Sequence, residues 1–437
     1  MRRPGSLSLV ALASVLSPLS AQAPARLSFA DAVRRAAGEA PTVLLATLRT
    51  DEADARVREA RAALLPSLGA SADWVNRSFN SRSIGISFPG FPELVGPFNN
   101  YDGRLTATQT LFDWSSVTRV RAASAQADGS RADRSASVEG AASAAALAYL
   151  RAARAQAIVG ARAADSSIAA ELVTLAQAQR AAGVSAAIDV TRARTQLVAA
   201  EGLLIVARNQ RDRARIDLAR TLGLDPATPP ELADTLASTL GAAELPAEQQ
   251  AVVATALATR PDLRAEVARG TTASRTSAAI RAERLPRLGV EADYGVNGIT
   301  VPSAISTRQI AVAVSVPILD GFHREARLAE QAAVVRESQV RERDLRQQIT
   351  ADVDTAFLDL RSAAAQQTIA AEQLRLAADE LAQARERFKA GVAGNIDVID
   401  AQANLIRARD TDIDARFAAA SARVALARAA GAARTLH

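Results

Sequence analysis

The chain has no cysteine, one methionine, two histidines and a single lysine, Lys389, among 437 residues. Without cysteine there is no disulfide, no thiolate metal site and no cysteine nucleophile. An acylated N-terminal cysteine is excluded as well, so the chain is not expected to be a lipoprotein. His323 and His437 offer no nucleophile a base at a recognisable spacing, and there is no glycine-rich phosphate loop. The usual means of hydrolysing a nucleotide or forming an acyl intermediate are therefore missing; no enzyme activity, cofactor or metal site is expected. Aromatics make up only 3% of the chain. Long apolar runs are also absent: beyond the N-terminal leader no segment offers the 18 or so apolar residues of a transmembrane helix, so any integral contact with a membrane must be made by strands. Blocks of like charge are missing too. The net charge of +5 includes Arg2 and Arg3, and the remaining arginines alternate with Asp and Glu along helical stretches, which reads as solvated helix faces and excludes a nucleic-acid partner.

What is present is a leader, long helices and a duplication. Arg2 and Arg3 precede an apolar run from Leu7 to Leu16, followed by Pro18, Ala21 and Ala23, the layout of a secretory signal peptide over residues 1–23. Ala and Arg dominate the rest, and Ala is the strongest helix former. Residues 180–190 read RAAGVSAAIDV and residues 388–398 read FKAGVAGNIDV. Gly183 and Gly391 each stand six positions before an aspartate, Asp189 and Asp397, at the end of a long helical run, where glycine supplies the positive φ that lets a chain leave one helix for another. Two such helical hairpin tips about 208 residues apart mark a tandem duplication.

Each half follows the same order. A helix is expected over 28–65, interrupted at Pro41, and one over 251–285. Alternation of period two then marks strands: Leu68, Ala70, Ala72 and Trp74, then Leu105, Ala107 and Leu111 in the first half; Leu288, Val290, Ala292, Tyr294 and Val296, then Ile310, Val312, Val314 and Val316 in the second. The strand hairpins are placed at 67–111 and 287–316, with an exposed loop over 76–100. Long helices of about 100 Å run from Ser115 to Ala182 and from His323 to Ala390, with shorter return helices over 184–222 and 392–430. The organisation expected is a first repeat, 24–223, with its tip at 183–185; a linker or belt, 224–250, containing Pro226, Pro229 and Pro230; a second repeat, 251–431, with its tip at 391–394; and a tail, 432–437. The two shorter helices of each half should stack end to end beside the long one.

Four amphipathic strands cannot close a membrane barrel, and an open sheet cannot sit in lipid with its edge amides unsatisfied. The strands therefore demand an oligomer with a multiple of four. About half of the aromatic residues lie in or beside the first hairpin, including Trp74, Phe98, Tyr101 and Trp114, as in the headgroup girdles of outer-membrane barrels. The competing reading is a periplasmic coiled-coil scaffold or adaptor, which shares the long helices but has no use for paired strands before each of them.

Taken together, the duplicated tips, LPRLG at 285–289, RPDL at 260–263 and VPILDG at 316–321 make the chain resemble the TolC-type outer-membrane efflux factor family over essentially the whole mature sequence. The resemblance implies a mainly α fold with a β-barrel part: a homotrimer whose twelve strands form a barrel in outer-membrane lipid, continued by a helical tunnel through the periplasm. It implies a passive duct served by an inner-membrane pump and a periplasmic adaptor (membrane-fusion) protein. It also implies that the tips, Gly183, Val184 and Ser185 with Gly391, Val392 and Ala393, dock the adaptor, and that Asp397 and Asp400 narrow the mouth, with Asp189 at the first tip. Some family members lock the mouth with a Tyr or Arg near the second tip; here those positions are Phe388 and Ala393, so closure is expected to depend on packing and on arginines such as Arg192 or Arg385.

Overall fold

The computed structural model describes residues 26–85, 88–236 and 240–437; the expected leader lies outside them. A short strand, β1 (Arg26–Leu27), leads into α1 (Phe29–Glu39), capped by Ser28, whose Oγ accepts the Asp31 amide at 3.1 Å. The interruption expected at Pro41 is a break between two helices, α2 (Pro41–Ala62) starting there, and the helix expected over 251–285 is broken in the same way at Pro261. A proline lacks the amide hydrogen that a first helical turn leaves unused, and its fixed φ suits that position. The strands β2 (Ser67–Asn80) and β3 (Leu94–Phe112) are longer than expected. Both ends of the stretch 76–100 are ladder and not loop: Asn76 pairs with Asn99, Arg77 with Phe98 and Asn80 with Leu94. Cross-strand contacts override the weak strand propensity of its Gly, Pro and Asn residues; Phe79 and Phe98 meet edge to face with centroids 6.3 Å apart, and Arg77 lies over the Phe98 ring.

Next come α3 (Trp114–Ala181), α4 (Ala187–Thr221), and β4 (Glu231–Leu232), which pairs in parallel with β1. The second half repeats the order with α5 (Gln249–Thr259), α6 (Pro261–Ala282), β5 (Arg287–Gly298), β6 (Ile305–Ser315), α7 (His323–Lys389) and α8 (Asn395–Ala430). At 68 and 67 residues, α3 and α7 each extend about 100 Å. Asp113 stops β3 and starts α3, accepting the Ser115 and Ser116 amides at 2.9 and 3.3 Å and both hydroxyls at 2.6 Å. Its counterpart Asp320 binds the buried Arg324 at 2.6 Å.

End-to-end stacking is visible at two glycines. Gly223, just past α4, has positive φ, and a Cβ there would lie 3.1 Å from Pro41 at the head of α2; Gly431, just past α8, stands in the same relation to Arg260 at the head of α6. Thus α3 runs beside α2 and α4. Along α7, Ala356, Ala363, Ala370, Ala377 and Ala384 are buried at seven-residue intervals, and α8 answers with Ala401, Ala415, Ala422 and Ala429. A strict heptad of small residues lets two helices approach closely over many turns.

The main core sits midway along α3, where α1, the end of α4, part of α8 and the tail converge on Tyr149 and Leu150. The Tyr149 hydroxyl donates to the Leu27 carbonyl at 2.9 Å and accepts the Asp234 amide at 3.2 Å, tying β1 and the segment after β4 to α3. The tail closes this belt through reciprocal backbone bonds between His437 and Gly241 and Ala242. The four long strands form one antiparallel sheet, ordered β2-β3-β5-β6, separate from the β1–β4 pair.

Candidate functional site

The sheet and the two tips carry surfaces that the chain's own packing leaves uncovered. On one sheet face Leu68, Trp74, Leu105, Tyr294, Val296, Ile310, Val312 and Val314 are exposed. The opposite face is polar: Arg104 forms ion pairs with Asp102 at 3.1 Å and with Asp293 across the β3–β5 ladder. Gly295 makes room for this crossing, since a Cβ there would lie 2.5 Å from the Gly103 carbonyl oxygen. Among the described residues, the outer strands β2 and β6 are each paired on one side only.

Both tips turn by one mechanism. Gly183 and Gly391 adopt φ of 76° and 71°. Beyond them the Val184 amide returns to the Gln179 carbonyl at 3.0 Å and the Val392 amide to the Arg387 carbonyl at 3.1 Å, the six-to-one bond of a helix closed by a left-handed residue. The return helices begin at Ala187 and Asn395, three residues later than expected in each case, because these closing turns take up the difference. Gly183, Val184, Gly391 and Val392 are exposed, and Ser185 and Ala393 half-buried. The tips also touch each other: a Cβ on Gly391 would lie 3.9 Å from a Val184 methyl.

Asp189 stands in the first turn of α4. Its carboxylate accepts the Ala186 amide at 3.3 Å, and Arg192 lies 3.8 Å away; Arg385 points elsewhere, to Glu171 at 3.5 Å. Asp397 and Asp400 are exposed on α8, three positions apart on one face.

Residues that sequence reasoning passed over hold the two tips together. Gln179 donates to the Phe388 carbonyl at 2.6 Å, and the buried Asn395 donates to the Asp189 carbonyl at 2.8 Å. Phe388 is 2% exposed and plugs a core made with Leu172, Val190, Leu381, Val398 and Leu405. The available signal was broken repeat symmetry: Asn395 and Gln179 correspond to Ala187 and Arg387. Higher up, α3 and α8 are joined by an ionic ladder. Arg154 pairs with Asp414 at 2.7 Å, Arg162 with Asp410 at 2.6 Å, and Arg409 with the buried Asp165 at 2.5 Å. Burial works against the Arg162 charge, but Asp410 and Asp165 outweigh it and raise the pKa.

Comparison with known proteins agrees with this architecture. A family model described as "Outer membrane efflux protein" matches residues 32–224 and 252–432, one segment in each half. Protein CyaE of Bordetella pertussis is 26% identical over 393 residues, covering 89% of this chain and 80% of that protein. Among solved structures, the outer membrane protein VceC of Vibrio cholerae superposes with a TM-score of 0.75 at 19% identity, over 92% of this chain and 96% of that one. The CmeC outer membrane channel of Campylobacter jejuni does so with a TM-score of 0.77 at 16% identity, over 93% and 86%.

Proposed function

Because the chain belongs to the outer membrane efflux protein family, we propose that it is a trimeric exit duct, conducting substrates passively from an inner-membrane pump and a periplasmic adaptor to the cell exterior. The family is one of outer-membrane efflux channels, not of enzymes. The observation that carries the reading is a four-stranded sheet with an apolar face and both edges free. Such a sheet is unsatisfied in lipid until its edges pair with copies of itself, and three copies supply twelve strands.

The duplication supports the same ring. Within one chain α3 packs against α6 and α8 of the other half, whereas α7 has no comparable packing against α2 or α4. Shifted by the repeat offset, residues of the seam within the chain become exposed apolar ones. Leu150 is fully buried and its equivalent Leu358 is 66% exposed; Ile413 is half-buried and its equivalent Ile205 is 66% exposed. A neighbouring copy would cover them by repeating the contact already made inside the chain.

In this reading residues 24–223 and 251–431 are the two structural repeats, the apolar sheet face meets lipid, and the tips Gly183–Ser185 and Gly391–Ala393 dock the adaptor. Asp397 and Asp400 form stacked carboxylate rings that favour cations at the mouth. The ties through Gln179, Asn395 and Phe388 hold each tip pair closed, in place of a Tyr or Arg lock on Asp189. Single-channel recording in planar bilayers tests the assignment: the purified protein should conduct with a cation preference that Asp397→Ala/Asp400→Ala weakens. A soluble elongated oligomer that forms no channels would overturn it in favour of a scaffold.

A further inference from the structure

One polar stripe on α8 is left free by its packing against α7 and α3. Asp397, Asp400, Asn404, Arg407 and Thr411 follow one another at steps of three or four residues, so they share one helix face; Val398, Ala401, Leu405 and Asp412, on other faces, are buried. Arg407 is exposed and makes no ion pair with a carboxylate among the described residues, unlike Arg409 and Arg416 on the same helix. Its guanidinium donates instead to the Asn404 amide oxygen, one turn toward the tip. The Asn404 amide nitrogen donates in turn to both oxygens of Glu380 on α7 at 3.1 Å. A neutral amide thus stands between the cation and the Glu380 carboxylate and draws the cation toward the mouth.

We propose that Arg407 is a specificity-determining residue of the duct. Placed seven residues above Asp400 on the same stripe, about 10 Å along the axis, it sets a ring of guanidinium charge behind the carboxylates of the mouth and limits their cation preference. This rests on the reading that Asp397 and Asp400 face the lumen. At physiological ionic strength the Debye length is about 8 Å, so the two rings act on a passing ion nearly as separate charges. A cation gathered by the carboxylates then meets a barrier, and an anion that has passed them meets an attraction. Asn404 acts as a positioning residue for the guanidinium.

Reversal potentials in planar bilayers under a KCl gradient test the proposal on the full-length protein. Arg407→Gln should raise the potassium-to-chloride permeability ratio about twofold or more, an effect that fades near 1 M salt, where the Debye length falls to about 3 Å. Arg407→Lys, which keeps the charge, should hold the wild-type ratio and thereby separate a charge effect from a disturbed fold. If Asp397→Asn/Asp400→Asn lowers the ratio while Arg407→Gln leaves it unchanged, the proposal is wrong and the lumenal reading of the aspartates stands. If neither variant moves the ratio, the stripe does not face the lumen and both fail.

Discussion

Asp165 is 2% exposed, yet it holds two arginines: Arg409 at 2.5 Å, and Arg162 at 3.1 Å. Arg162 also reaches Asp410 with a two-oxygen contact at 2.6 and 2.8 Å. Asp165→Ala leaves two guanidinium groups facing a small cavity without their shared carboxylate. Removing one partner of a fully buried pair costs about 3–5 kcal/mol. Here the Arg162 and Arg409 side chains keep 14% and 24% of their exposure, and Arg162 keeps Asp410, so the loss should be about 2–3 kcal/mol. Asp379, whose pair with Arg375 is exposed on both sides, provides the reference, with little or no loss expected for Asp379→Ala. The assay is helical circular dichroism during heating of the detergent-purified protein at a fixed scan rate, since unfolding of such an assembly is governed by rate. Asp165→Ala should melt several degrees below wild type, and Asp379→Ala close to wild type. Replacing Asp165, Arg162 and Arg409 together by leucine should recover much of the loss, because the charge this strands, Asp410, keeps 38% of its exposure and stays hydrated. The reasoning is refuted if Asp165→Ala melts with wild type, or if the triple variant is worse than the single one.

Two other outcomes follow from the helix junctions. At the head of α6, burial works against the Asp262 charge, but Arg260 donates to both of its oxygens at 3.1 and 2.6 Å and holds the carboxyl below its usual 3.8. That contribution is complete above pH 3.8 and disappears as pH falls through the lowered native value; acid titration of melting should therefore show a shallower loss in Asp262→Asn than in wild type, and parallel curves would contradict the assignment. Gly183 and Gly431 both have positive φ, but a Cβ at Gly183 meets open space while one at Gly431 lies 3.0 Å from Arg260. Gly183→Ala should cost about 1 kcal/mol of backbone strain and Gly431→Ala distinctly more, a ranking that comparative melting checks.

The two repeat seams also differ in chemistry. The ladder that joins α3 to α8 within a chain uses Arg154, Arg162, Asp165, Arg409, Asp410 and Asp414. At the equivalent positions stand Ser362, Ala370, Gln373, Glu201, Gly202 and Val206, which cannot form ion pairs with one another. In the proposed ring, the seam offered to a neighbouring copy thus lacks the ion pairs that the internal one carries.

Local chemistry made much of this legible in the text. Period-two alternation marked the four strands, and Gly183 and Gly391 marked the tips, because a φ preference or a side-chain period acts within a few residues of its cause. Repetition of those marks made the duplication readable as well. The length of the first hairpin was not, since residues 76–80 and 94–100 owe their strand conformation to partners across the ladder. Nor were the tip ties of Gln179 and Asn395 or the bond of Asp165 to Arg409, each of which joins residues more than 200 positions apart in the chain. Sequence by itself determined which segments are helix, strand or turn and that they occur twice. Tertiary structure decided which face of each helix meets which other, because burial and pairing between distant segments depend on geometry that no local propensity encodes.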